Sequence, residues 1–257
     1  MGVLSVEGLS KVYTRDGQGD LQALRDVTVS VRRGEFVSIV GPSGCGKTTL
    51  LSCIAGLRSK SGGRVLLNGA EVTAPPKEMA LIFQEYGRTL LPWKSVLENV
   101  IFGMENRPEI ARRDYERLAR EALRHVGLEG HELSYPWQLS GGQQQRVAIA
   151  RGLANGPEIL LMDEPFASVD AQTRAELEDL LLRIWAEYSR TILFVTHDIE
   201  EAIYMSDRVV VLSAPPCVVL QDIAIDLPRP REQIATREEP RFLERRRAVH
   251  ALLTGSR

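Results

Sequence analysis

The clearest chemistry in the chain lies in Gly41, Pro42, Ser43, Gly44, Cys45, Gly46, Lys47, Thr48 and Thr49, which fit the spacing GxxxxGK[ST]. The run follows an apolar stretch and precedes a helical one, the context a phosphate-binding P-loop requires. Its glycines let the backbone curl until successive N–H groups converge on phosphate oxygens. The start of the following helix adds about half a positive charge. Lys47 sets a full charge near the β and γ phosphates of a nucleotide, and Thr48 offers a hydroxyl to Mg2+. Taken alone, the motif leaves kinases, GTPases and many ATPases open.

Two further groups narrow the choice. Ile159 to Met162 reads as a buried strand that ends in Asp163 and Glu164. In a parallel sheet, ligands bind beyond the strand C-termini, so Asp163 suits a Mg2+ shell and Glu164 the activation of an attacking water. The same two acids would also serve to cap a following helix. The second group is Leu139-Ser140-Gly141-Gly142-Gln143, followed by a good helical sequence. Ser140 and Gln143 have the spacing of a capping box. Two glycines in a first turn weaken a helix by up to about 1 kcal/mol each, so a purely structural start would avoid them. Bare glycines and a serine hydroxyl at a positive helix end admit an anion instead.

The elements that must hold these groups read as α/β. Val27, Val29 and Val31 alternate with polar residues, as in a half-buried strand, and Glu35 to Val40 is an apolar strand entering the P-loop. Thr48 to Leu57 has helical length and composition. Short strands are predicted at 64–67 and 79–83, and later ones at 159–162, 191–195 and 208–212. Between about Glu85 and Asn155 helix dominates. Tyr115, Leu118, Ala119, Ala122, Leu123 and Val126 share one helical face, with a charged and solvated face opposite. Leu177, Leu180, Leu181, Ile184 and Tyr188 mark another helix. After Leu227, three prolines lead into a short amphipathic helix ending at Leu252-Leu253, read as a solvated terminal helix.

The expected fold class is α/β: a P-loop NTPase core with a mainly parallel sheet, an N-terminal antiparallel β subdomain and an inserted α-helical subdomain. The expected division is one domain over 1–257. Residues 1–84 and 156–227 make the nucleotide-binding core with its β subdomain, 85–155 the helical signature subdomain and 228–257 a C-terminal tail.

Composition sets the bounds. The 257 residues are 44% hydrophobic and 26% charged, enough apolar material for a sizeable core. Thirty-two Lys plus Arg against thirty-four Asp plus Glu leave a formal charge of −2, which argues against a broadly basic nucleic-acid binder. Cys45, Cys53 and Cys217 lack pair or cluster spacing, so no disulfide framework or zinc site is expected. No apolar run approaches the ~18 to 20 residues that cross a bilayer, and the first residues lack a signal-peptide pattern. The expectation is a soluble intracellular chain that a partner holds at a membrane.

LSGGQ placed between a P-loop and a strand ending Asp-Glu resembles the nucleotide-binding subunit of ATP-binding cassette (ABC) transporters, and the resemblance spans nearly the whole chain. It implies ATP as the nucleotide, with Mg2+ held by Thr48, Asp163 and Gln84. It implies that Tyr13 stacks on adenine and that Gln84 links the nucleotide site to a membrane subunit. Asp170, within ASVD where the family more often has SALD, would cross a dimer interface. Glu164, Lys47 and His197 would be the catalytic residues, His197 through the γ-phosphate. The implied assembly is a head-to-tail dimer of two copies, with two ATPs between Gly41–Thr49 of one and Ser140–Gln143 of the other. Integral-membrane permease subunits would sit against it, with a solute-binding protein further out and no nucleic acid. The segment FQEYGRTLLPWKSVLENV and the tail are similar to subunits of nitrate, sulfonate and taurine importers. This implies a peripheral position on the cytoplasmic face of the inner membrane. Leu90 to Trp93 also reads as ordinary packing with one exposed tryptophan. The alternatives are the ATPase of a lipid or drug exporter and a soluble P-loop enzyme such as a kinase. The solute is not written in this chain, because a binding protein and a membrane channel select it.

Overall fold

The structure, a computed structural model, describes residues 2–14, 19–84 and 86–255. Glu85, where the sequence reading starts the helical insertion, lies outside the described residues. In chain order the elements are β1 (Leu4–Tyr13), β2 (Leu21–Val31), β3 (Phe36–Val40), α1 (Lys47–Ile54), β4 (Gly62–Leu67), β5 (Ala70–Glu71) and β6 (Met79–Ile82). Next come α2 (Tyr86–Thr89), α3 (Val96–Phe102), α4 (Tyr115–His125), α5 (Gly141–Ala154), β7 (Ile159–Asp163) and α6 (Ala171–Tyr188). The chain closes with β8 (Thr191–Thr196), α7 (Ile199–Met205), β9 (Arg208–Leu212), β10 (Val219–Ala224), α8 (Ala235–Glu238) and α9 (Pro240–Gly255). These residues form two compact units, 1–76 with 189–257, and 77–188.

The first unit contains an antiparallel sheet in the order β2-β1-β4-β5. Val27, Val29 and Val31 of β2 are buried while their neighbours face out, the expected period-two alternation. Its second set of strands is parallel. β3 lies between β8 and β9, and every residue of β3 and β8 is buried. Burial of both faces is why these strands read as unbroken apolar runs. Val40 pairs with Thr196 and with Val211, so the three strands end level with one another. β10 runs antiparallel along β9.

The tail forms the amphipathic, largely solvated helix expected and docks by one face. α9 packs on α7 and β9, burying Phe242 and Val249. Arg245 pairs with Asp226 at 2.9 Å and Arg246 with Glu200 at 2.7 Å, so these two cations meet carboxylates of their own unit. Just upstream, Arg231 donates to the carbonyls of Ile203 and Tyr204, and Arg229 to that of Met205. Those carbonyls end α7, where an α-helix leaves acceptors without intrahelical partners, and guanidinium groups complete them. Burial pushes the Arg231 guanidinium down to about 10.

In the second unit β6 and β7 pair in parallel, and α3, α4 and α5 pack on one another. The predicted face of α4 is buried at Ala119, Ala122 and Leu123. Its outer side carries Arg120–Glu116 and Arg117–Glu121 pairs, the solvated face expected. α3 begins with a capping box of Ser95 and Glu98. Asn99, fully buried, donates to the carbonyls of Leu91, Lys94 and Ser95 and accepts from the Leu91 N–H. That clamp fixes the loop in which Leu90 is buried and Trp93 is 71% exposed. Among the described residues no helix is long and apolar enough to cross a membrane.

Candidate functional site

The first unit carries the P-loop. β3 delivers the chain to Gly41, and the loop turns into α1 through Gly46. Gly46 has φ 115°, and a methyl group there would lie 3.2 Å from Leu24 Cδ2 and 3.3 Å from the Ala23 carbonyl oxygen. Only glycine fits both the backbone and the space. Lys47 is the first residue of α1 and is buried, its ammonium donating to the carbonyls of Gly41 at 3.0 Å and Pro42 at 3.2 Å. The start of α1 has no side-chain cap and no acidic residue in its first turn. A helix start that no side chain caps is suited to phosphate. Pro42 is half-buried, Ser43, Gly44 and Thr48 are exposed, and Thr49 meets the Tyr13 hydroxyl at 3.3 Å. That contact brings Tyr13 to the loop, with the Lys11 ammonium and the Arg58 guanidinium 5.2 and 5.5 Å from its ring centroid.

His197 leaves β8 level with Gly41 leaving β3 and is exposed. Asp198, not His197, caps α7, accepting from the N–H groups of Glu200 and Glu201.

The second unit holds the other residues. Asp163 ends β7 and is 4% exposed. Glu164 follows with φ 42°, a left-handed backbone rarely taken by a residue with a side chain and costing of the order of 1 kcal/mol or more. Such strain concentrates at functional positions. Ile82 pairs with Met162, so Gln84 and Glu164 leave neighbouring strands level with each other. Gln84 is exposed at the bend.

Ser140 caps α5. Its hydroxyl accepts from the Gln143 N–H, and the Gln143 carboxamide accepts from the Ser140 N–H at 2.9 Å. The capping box is complete, and Gly141 is exposed beside it. Gly142 corrects the expectation that a purely structural start would avoid both glycines. A methyl group on it would lie 2.4 Å from Thr173 Cγ2, so the packing of α5 on α6 itself demands a bare backbone. Thr173 in turn gives its N–H and hydroxyl to the Asp170 carboxylate, which caps α6 and is held below the usual carboxylate range by those two bonds. The LSGGQ start and Asp170 thus meet through one threonine, a connection the sequence reading missed because nothing near Gly142 announces Thr173.

Each unit thus gathers part of the set: Tyr13, Gly41–Thr49 and His197 in the first; Gln84, Ser140–Gln143, Asp163, Glu164 and Asp170 in the second. Among the described residues, no cluster of three or more His, Cys, Asp or Glu could hold a metal ion. Thr48 in the first unit and Gln84 and Asp163 in the second offer a hydroxyl, a carboxamide and a carboxylate, each an oxygen donor of the kind a hard cation takes.

Residues 24–167 match the family model described as ABC transporter. The chain is 49% identical over 250 residues to an uncharacterised ABC transporter ATP-binding protein of Methanocaldococcus jannaschii, covering 97% of this chain and 91% of that one. It is 41% identical over 230 residues to an aliphatic sulfonates import ATP-binding protein of Bacillus cereus, covering 90% of this chain and 89% of that one. A dimeric ATP-binding cassette in a post-hydrolysis state, bound to ADP and Pi, superposes with a TM-score of 0.74 at 32% identity, covering 86% of this chain and 98% of the other. With its phosphate cradle, its acid-ended strand and its serine-glycine helix start, the chain belongs to the ABC transporter family as an ATP-binding protein.

Proposed function

We propose that this chain is the ATP-hydrolysing subunit that energises an importer of nitrate, a sulfonate, taurine or a similar small solute. The observation that carries this is the start of α1: a helix end entered through glycine with no side-chain cap, beside a buried lysine that donates to the loop carbonyls of Gly41 and Pro42. The amides of Gly44 to Thr48 and the Lys47 ammonium bind the triphosphate, and the Tyr13 ring stacks on adenine. Thr48, Gln84 and Asp163 hold Mg2+, which neutralises phosphate charge when bound. Glu164 orients the attacking water and accepts its proton, while His197 contacts the γ-phosphate oxygens.

Two copies act head to tail. Ser140 to Gln143 of the second copy meet the γ-phosphate held on the first copy's loop, and Asp170 lies along the interface between them. ATP then favours the closed pair over the open one because it touches both copies, and hydrolysis removes that difference. The bend at Gln84 and the exposed Trp93 loop meet integral-membrane permease subunits. The protein is peripheral on the cytoplasmic face of the inner membrane, receives cargo only indirectly from a solute-binding protein, and takes no nucleic acid. Retaining an oxygen acceptor while removing the base tests this. Glu164→Gln is expected to keep ATP binding and to slow steady-state hydrolysis by about 10²-fold or more. Turnover near the wild-type rate would take Glu164 out of the reaction.

A further inference from the structure

Two of the three cysteines meet beneath the P-loop. Cys45 sits between Gly44 and Gly46, its N–H donating to the Pro42 carbonyl at 3.2 Å. Cys217 lies on the turn between β9 and β10. It is anchored there by its N–H to the Ala23 carbonyl at 3.0 Å and by the Arg25 N–H to its own carbonyl at 2.9 Å. Both are buried and both are free thiols, and the Cys45 sulfur turns back against the loop, 2.9 Å from where a methyl group on Gly41 would sit. A methyl group on Gly46 would lie 3.8 Å from Cys217 Cβ, which shows how closely the turn approaches the loop. The cysteine spacing along the chain gave no sign of this pair.

The two thiols are chemically unequal. The hydrogen bond from Cys217 stabilises a Cys45 thiolate against the opposing effect of burial, and the Lys47 ammonium adds to it, so Cys45 is brought down to about 7. Cys217, bonded to Cys45 and buried, is pushed up. Cys53, buried without a thiol partner, is also pushed up, chiefly by burial. One nucleophilic sulfur with a protonated sulfur beside it is the arrangement of an oxidisable cysteine and its resolving partner.

We propose that Cys45 and Cys217 are a reversible oxidation site whose oxidant is hydrogen peroxide and whose product is an intrachain disulfide under the P-loop. The Cys45 thiolate attacks one peroxide oxygen; the O–O bond breaks, hydroxide leaves, and Cys45 becomes a sulfenic acid. The Cys217 sulfur then attacks the Cys45 sulfur, the S–O bond breaks, and the Cys217 proton leaves with the hydroxyl as water. A dithiol reductant reverses the bond by thiol–disulfide exchange. An S–S bond of about 2.05 Å is far shorter than any non-bonded contact of two sulfurs, so closing it pulls the loop and the turn toward each other. Cys217 is tied on both sides to β2, whereas Cys45 is flanked by two glycines at φ 77° and 115°, so the loop yields. The Cys45 amide then leaves its place in the phosphate cradle. Bond formation is independent of the nucleotide reading above; its effect on ATP rests on that reading.

The test uses the full chain, reduced and then exposed to hydrogen peroxide near neutral pH. Peptide mapping without reductant is expected to show Cys45 joined to Cys217 with loss of two hydrogens, and Cys53 still alkylatable. Cys217→Ser is expected to yield no joined peptide and a Cys45 sulfenic acid that dimedone traps, and when reduced to bind a fluorescent ATP analogue like the parent. Oxidised parent protein should bind the analogue at least about tenfold more weakly, about 1.4 kcal/mol, and recover with dithiothreitol. Thiols that stay alkylatable after peroxide, or a link that uses Cys53, would overturn the site; the map of the parent chain decides this whatever the variant does. A joined peptide with unchanged analogue binding would overturn the effect on the cradle. Reduced parent that binds no analogue, yet forms the link, would count against the nucleotide reading and leave the disulfide standing.

Discussion

The two helix starts that carry the motifs are built on opposite plans. α1 begins on a glycine with no cap and no acid, and its lysine is tied to the loop that precedes it. α5 begins on a serine with a complete capping box, and its buried glycine is filled by the methyl of Thr173. No side chain closes the first. The second is complete inside its own unit, so any ligand it meets is added to a stable helix and is not needed to form it. A motif can therefore look alike in composition, glycines ahead of a helix, and answer to different causes.

Several measurements would break or sharpen that contrast. Lys47→Ala should reduce hydrolysis by about 10²- to 10³-fold, the usual range for deleting one charge-stabilising donor. A loss under tenfold in a phosphate-release assay would mean that the α1 start is not where charge is neutralised. Next in size, ATP at roughly 100 times its Kd should stabilise the chain by about 2.7 kcal/mol in thermal unfolding, and Lys47→Ala should abolish most of that gain. Gly142→Ala separates packing from helix propensity. Alanine is the better helix former by about 1 kcal/mol, yet the methyl collides with Thr173, so a net destabilisation of about 1 to 2 kcal/mol is expected. Adding Thr173→Ser, which removes the methyl and keeps the hydroxyl for Asp170, should recover most of it. If Gly142→Ala stabilises the protein, the packing account is wrong. Ser140→Ala should have the smallest effect, about 1 kcal/mol for a lost cap, read by urea unfolding of the nucleotide-free chain.

The sequence was most informative where a local pattern reports a local cause. β3, β7, β8 and β9 announced themselves as apolar runs because both faces are covered, and α4 by its stripe of alanine and leucine. The cap at Ser140 follows from residues three apart. What stayed hidden depends on partners far along the chain. The reason for Gly142 is Thr173, and the docking of α9 comes from Phe242, Val249 and arginines that find Asp226 and Glu200. The thiol beneath the loop is Cys217. The left-handed backbone of Glu164 is equally unannounced, since glutamate has no preference for it.

The clamp made by Asn99 has a consequence for association. With the peptide groups of Leu91, Lys94 and Ser95 already tied to one buried carboxamide, the loop bearing Trp93 is frozen when the chain folds. A macromolecule that covers the indole therefore immobilises little beyond its two side-chain torsions, so its residence time depends on the fit around the ring and hardly at all on lost backbone freedom.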